Sequence, residues 1–296
     1  MVTWGFKSPH SYIYSFKTLD RCQKFITLEI YGSSPLVSTM VKKEFEWCNI
    51  PWGVYMEENR IIHPSYPNYY YSNKCVTINN DGDLELSMAV SPKKIKWLDN
   101  NGNIVEYNPI IGCGLVKSLI TVGVNSMVTC MLKFPKGTML WPSFWLTGSE
   151  CWPPEIDVVE AYSGNKGNYL DKIGIHTKFP FIYRNYRMES NVHYTYNNKH
   201  RVAGAVGVKP SIMNNCTDSW NKFVVIWTKE YIHIYVNGIR VRAIKDKKVL
   251  NAINQSKMNI ILNIFPQNGF DYDTDDGDIK RFASPFIIRD LKIKTL

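Results

Sequence analysis

Trp152-Pro153-Pro154-Glu155-Ile156-Asp157-Val158-Val159-Glu160 is the stretch whose reading decides the fold. Three carboxylates sit among apolar, mostly β-branched residues, the make-up of a half-buried strand. Strand side chains alternate faces, so Glu155 and Asp157 share one face. Strict alternation sends Glu160 to the other face. A bulge at Val158–Val159 adds one residue and brings Glu160 round to join them. Ile156 and one of the valines then point into a core. Three acids on one strand face repel one another, a cost that a purely structural strand has no reason to carry. Closely spaced carboxylates also raise one another's pKa, so one can hold a proton near neutral pH while another stays ionised.

Working outward, long 3.6-residue periods are scarce. Short alternating or fully apolar runs recur instead, at 75–78, 84–89, 126–134, 223–227, 232–236, 258–264 and 286–293, cut by Gly, Pro, Asn and Asp. Asn80-Asp81-Gly82-Asp83 and Asn237-Gly238 each separate two such runs and read as hairpin turns. Many short strands at this spacing predict an all-β sandwich or jelly roll. No internal repeat or Pro/Gly/Ser-rich linker divides the chain. One domain is expected over 48–296, with 1–47 as an N-terminal extension that either stands apart or joins the sandwich.

The chain has 296 residues and a formal net charge of +9, with 9 Trp and 18 Tyr. Such a basic, aromatic-rich surface suits a polyanionic or sugar-like partner. A nucleic-acid partner is not expected, because no matching motif is present and a triple-acid strand repels phosphate. No apolar run approaches the length of a membrane helix, so no membrane partner is expected. The seven cysteines are widely spaced with no CxxC pair, which predicts buried free thiols rather than a zinc knuckle. Residues 1–16 lack a continuous apolar segment and a small-residue cleavage site, so no signal peptide is read. Localisation is left open. Extracellular action, or release by lysis or on a virus particle, is expected for a large polyanionic or sugar-like partner. Oligomeric state is not legible.

A division of labour between a protonated and an ionised carboxyl is what glycoside hydrolysis uses. The stretch EIDVVE (155–160) resembles the catalytic signature of glycoside hydrolase family 16, in its bulged E-x-D-x-x-E form. The neighbours agree. KFPKG (133–137) with LWPSFWL (140–146) resembles the family's run just before the acids. GLVKS (114–118) resembles an earlier strand, and NDGDLEL (80–86) an earlier hairpin. WNKF (220–223), IWT (226–228) and IHIYVNG (232–238) resemble its downstream strands, with ILN (261–263) and 286–293 as the last two. The resemblance covers about residues 70–296, in order.

The resemblance implies a concanavalin-like β-jelly-roll sandwich of two antiparallel sheets with an open substrate cleft. It implies an endo-acting, retaining hydrolase of a β-linked polysaccharide, with Glu155 as nucleophile, Glu160 as acid/base, and Asp157 between them tuning the nucleophile. Trp141, Ser143 and Trp145 share a face by alternation, and the corresponding family face lines the sugar cleft. His176 resembles a histidine beside that cleft. The segment 171–210 departs from the shorter family pattern. It is rich in Lys and Arg interleaved with aromatics, Arg184 and Arg187 among them. Arg forks pair with sulfate or carboxylate, which points to an anionic substrate, a sulfated galactan of carrageenan, porphyran or agar type. A neutral β-1,3-glucan of laminarin type and a non-catalytic glycan-binding jelly roll in a larger, for example viral, assembly are the alternatives. No cofactor is required. A structural calcium, as some family members carry, would match Asp290, and the acidic run 271–278 is not an EF-hand.

Overall fold

The computed structural model describes residues 39–40, 42–56, 59–63, 66–99, 101–137, 139–163, 186–204, 206–208, 212, 216–267 and 284–296. Six of the seven runs fold as strands within about two residues of where the sequence puts them: Val76–Ile78, Ser126–Lys133, Asn221–Trp227, Ile232–Val236, Met258–Pro266 and Phe286–Thr295. The run 84–89 instead splits at Ser87 into Leu84–Leu86 and Met88–Val90, which belong to different sheets. Asn237 and Gly238 take φ of 51° and 83° in the turn after Val236, the left-handed pair a two-residue hairpin needs. In the earlier turn the Asn79 side chain accepts from the backbone N–H of Asp81 and Asp83, each at 3.0 Å.

Two large antiparallel sheets result, of eight and ten strands. The eight-stranded sheet centres on Ser126–Lys133, flanked by Phe286–Thr295 and Asn221–Trp227. The ten-stranded sheet has Met258–Pro266 between Leu115–Val122 and Leu140–Gly148, with Glu155–Ser163 next outward. Glu44–Trp47 pairs with Ile50–Gly53 at its other end, so the last residues of the expected extension join this sheet. A third sheet of four strands includes one parallel pair, Ile111–Cys113 beside Tyr69–Tyr71, and Ile95–Leu98 forms a hairpin with Ile104–Tyr107. The fold is the expected β-sandwich with these two additions.

Phe144, Leu146, Ile156 and Trp52 from one large sheet meet Val128, Leu132, Phe223 and Phe286 from the other in one continuous core. Burying these side chains, at about 1.5–3 kcal/mol each, drives the two sheets together. Every residue of Met258–Pro266 is buried. One face lies in the core and the other beneath the cleft. Of the six cysteines among the described residues five are buried and Cys151 is exposed. A short helix, Lys247–Ile253, is capped by the Asp246 side chain accepting from Lys248 N–H at 2.7 Å. Just before Asn221–Trp227, the Trp220 ring centre lies 4.4 Å from the Arg289 guanidinium carbon, and Trp220 is not among the residues that line the cleft.

Candidate active site

The outer face of the ten-stranded sheet floors a cleft of about 1080 Å³. Its centre is made by the bulge. Asp157 pairs with Trp145 and Val159 with Phe144, so Val158 is the extra residue. Ile156, Val158 and Val159 are all fully buried, while Glu155, Asp157 and Glu160 line the cleft. Removing Val158 would restore plain alternation with all three acids still on one face. Deleting Val158 is therefore expected to cost stability through the lost buried side chain. It should retain activity within about 100-fold, the scale of an ångström-level misplacement. Hydrolysis assays on the folded deletion check this; complete loss would mean the bulge sets more than the face.

The acids sit in different surroundings. Asp157 is 3% exposed. Its carboxyl is held well above the usual range, first by burial and then by the charge of Glu160, with Arg242 opposing. Glu155 is pushed up to about 8 by burial and by Asp157, against the pull of His193 and a hydrogen bond from Trp152. That bond runs from Trp152 Nε1 to Glu155 Oε2 at 2.9 Å. Glu160 faces donors instead: Asn191 Nδ2 at 2.6 Å on one oxygen, with Tyr162 Oη at 3.0 Å and Trp141 Nε1 at 3.2 Å on the other. Burial, then the neighbouring Glu160, hold the Tyr162 hydroxyl well above the ordinary phenol range, so it stays protonated.

The raised Glu155 pKa has a sign. From about 4.5, its ordinary value, up to about 8, the folded chain holds a proton that the unfolded chain releases. The folded state then binds more protons, and stability falls as pH rises through that window. Thermal melts from pH 5 to 9 should show this fall in the wild type and a shallower one in Glu155→Gln. Parallel curves would contradict it.

Arg242 reaches this region from the eight-stranded sheet. It is 5% exposed and donates to the carbonyls of Ser190, Ala203 and Gly204. Ser190 Oγ in turn donates to the Asp157 carbonyl at 2.7 Å. The guanidinium thus ties the second sheet to the strand beside the acids.

Trp141, Ser143 and Trp145 line the cleft as alternation predicts. Trp145 Nε1 donates to Asn263 Oδ1 at 2.7 Å. Trp141 stacks on Tyr162 at 5.6 Å and meets Phe265 and Tyr66 edge-on, each at 6.3 Å. His176, Arg184 and the acidic run 271–278 lie outside the described residues. Arg187 is described but does not line the cleft; its guanidinium pairs with Glu189 at 2.7 Å over the Tyr162 ring. Asp290 sits in a bulge with φ 53°. Among the described residues one group of three could share an ion: Glu155, Asp157 and His193, with ligand atoms within 4.8 Å of one another.

His193, Asn191, Tyr162 and Trp152 are among the cleft residues to which sequence reading gave no role. His193 stands directly opposite Glu155 across the strand pair, and that register is not written locally in the sequence. Tyr162 was within reach, since it is two residues beyond Glu160 on the same face.

The family model for glycosyl hydrolases family 16 matches residues 68–282, well over half of the chain. The chain belongs to glycosyl hydrolases family 16. It is therefore a retaining glycoside hydrolase, an endo-acting enzyme on β-linked polysaccharide working by double displacement. The matched region contains both strands that carry the acids and the aromatic face. Solved family 16-like structures share the fold. Porphyranase B from Zobellia galactanivorans superposes with a TM-score of 0.57 at 14% identity, covering 82% of this chain and 85% of that one. The kappa-carrageenase from Pseudoalteromonas carrageenovora, in complex with an oligotetrasaccharide of kappa-carrageenan, gives 0.54 at 16% identity, covering 77% and 86%. A LamA variant from Zobellia galactanivorans, in complex with laminaritriose and laminaritetraose, gives 0.54 at 14% identity, covering 87% and 96%. No curated protein matches this family 16 enzyme in sequence.

Proposed function

We propose that the enzyme cleaves internal β-linkages at a stretch of uncharged sugars, with Glu155 as nucleophile and Glu160 as acid/base. The observation that carries the substrate class is the charge of the cleft. Among its described lining residues Asp99, Glu150, Glu155, Asp157 and Glu160 are acidic, and Arg60 alone is permanently cationic. A sulfate ester at the cleavage point would lie among acidic side chains with Arg60 as the one permanent cation to pair it among the described lining residues, and like charges repel. Aromatic faces such as Trp141 suit the apolar face of a sugar ring instead.

In the first step Glu155 attacks the anomeric carbon while Glu160 gives its proton to the departing glycosidic oxygen. In the second, Glu160 takes a proton from water, and the resulting attack releases the sugar from Glu155. Burial and mutual repulsion raise Glu155 and Asp157, and the first step needs a proton on Glu160. The Tyr162 hydroxyl, 3.0 Å away, can turn from donor to acceptor, so Glu160 keeps a partner once protonated.

One feature favours a second reading. Segment 164–185, directly after the strand that carries the acids, contributes Lys166, Lys172, Lys178 and Arg184 against Asp171 alone, which suits a sulfated galactan. Reducing-end release from laminarin, agarose, kappa-carrageenan and porphyran separates the two. The first reading expects the highest rate on an uncharged polymer. Faster cleavage of a sulfated galactan would replace it with the second.

A further inference from the structure

Outside the acids themselves, the cleft holds a pair of histidines. His193, on Val192–Tyr196, is the cross-strand partner of Glu155. Its Nε2 lies 3.4 Å from Asp157 Oδ2 and 3.6 Å from Glu155 Oε1. Its other nitrogen, Nδ1, lies 2.9 Å from Nε2 of His200, which belongs to the next strand, Lys199–Val202. The two ring planes are 11° apart and the centroids 5.1 Å apart. The centroids are thus farther apart than the nitrogens, so the nitrogens face each other and the contact is a ring-to-ring hydrogen bond. Trp152 covers both rings, with centroids 6.0 Å from His193 and 4.8 Å from His200. The same indole donates to Glu155.

This geometry favours one tautomer of His193. With its proton on Nδ1 and Nε2 bare, it could pair only with a protonated carboxyl and would turn a lone pair toward the other. With Nε2–H it turns a donor toward Asp157 Oδ2, with Glu155 Oε1 slightly farther away. Asp157 Oδ2 is buried and accepts no hydrogen bond among the described residues, so a donor there meets a real need. Neutral His193 protonated on Nε2 has a bare Nδ1, and that nitrogen must then accept from His200 Nε2–H. The outer nitrogen of His200 is left to water. A histidine's working tautomer is fixed by the hydrogen bond its other nitrogen makes.

We propose that His200 is a positioning residue: its hydrogen bond to His193 Nδ1 holds His193 with Nε2–H turned to Asp157 and Glu155. Trp152 then donates to one oxygen of Glu155 and His193 stands beside the other, so the carboxyl is aimed across the cleft. This rests on Glu155 being the nucleophile.

The test uses the full chain with ¹⁵N-labelled histidine, together with steady-state kinetics of His200→Ala and His200→Gln on the best glycan. The wild-type spectrum should show His193 protonated on Nε2, and His200→Ala should mix its tautomers. In kinetics, His200→Ala should lose about 10- to 100-fold in kcat with KM changed less than about threefold, the scale of losing an orienting partner. His200→Gln, whose amide N–H can still donate to Nδ1, should recover most of that loss. Full kcat in His200→Ala, or His193 protonated on Nδ1 in the wild type, would overturn the proposal. His200 is exposed on an outer hairpin, so its variants should fold; the wild-type spectrum decides even where one does not. Failure of the nucleophile assignment shows separately, as activity surviving in Glu155→Gln while the His193 tautomer stays as stated.

Discussion

Replacing Glu155 with Gln is expected to lower kcat by at least about 10,000-fold, the scale on which retaining enzymes lose their covalent route. The fold should survive. The substitution removes a carboxyl that burial and Asp157 push up to about 8, so repulsion within the array falls and the melting temperature should hold or rise. A smaller variant, Glu155→Ala, adds a chemical readout. Azide can fill the space of a missing nucleophile, and a single displacement then gives a glycosyl azide of inverted configuration. Removing Glu160 leaves the covalent intermediate for azide to intercept, with net retention. The two products assign the two glutamates independently of rate. That matters here, because Glu155 is pushed up to about 8 while three donors surround Glu160. Wild-type product release from Glu155→Gln would refute the assignment, and an azide product of retained configuration from Glu155→Ala would exchange the two roles.

The largest effect on stability is expected from Phe144→Ala. Phe144 is fully buried, paired with Val159 beside the bulge on one side and with Leu262 on the other. Truncating a buried Phe costs about 3–5 kcal/mol. In a protein of this size each kcal/mol moves the melting temperature by about 2–4 °C, so a fall of about 6–20 °C should appear by calorimetry. Its strand neighbour gives the contrast. Trp145 faces the cleft, half-buried, so Trp145→Ala should weaken glycan cleavage while leaving the melt within a few degrees. If both variants melt alike, the assignment of alternate residues to core and cleft fails.

Much of this was legible because period-two alternation is a local property. From Leu140 to Thr147 it sorts Phe144 to the core and Trp141, Ser143 and Trp145 to the cleft. The same rule, with one added residue at Val158, puts Glu155, Asp157 and Glu160 together. Hairpin turns were legible for a related reason, since Asn237-Gly238 supplies the positive φ pair that few other residues tolerate. The helix Lys247–Ile253 was not seen, because seven residues are too few to show a 3.6-residue period.

What the sequence by itself determined, then, is the β-sandwich, the strand that carries three acids on one face, and the aromatic face beside it. What only the tertiary structure decided is the company those acids keep. Asn191 on Glu160, His193 opposite Glu155, the His200 behind it and Arg242 arriving from the other sheet all depend on strand register and sheet packing. Register is fixed by the global match of buried faces across many strands, and no short stretch of sequence encodes it. The charge of the cleft is of the same kind. The chain carries +9 overall, yet the fold gathers carboxylates around the described groove, because where a charge ends up depends on which strand face carries it.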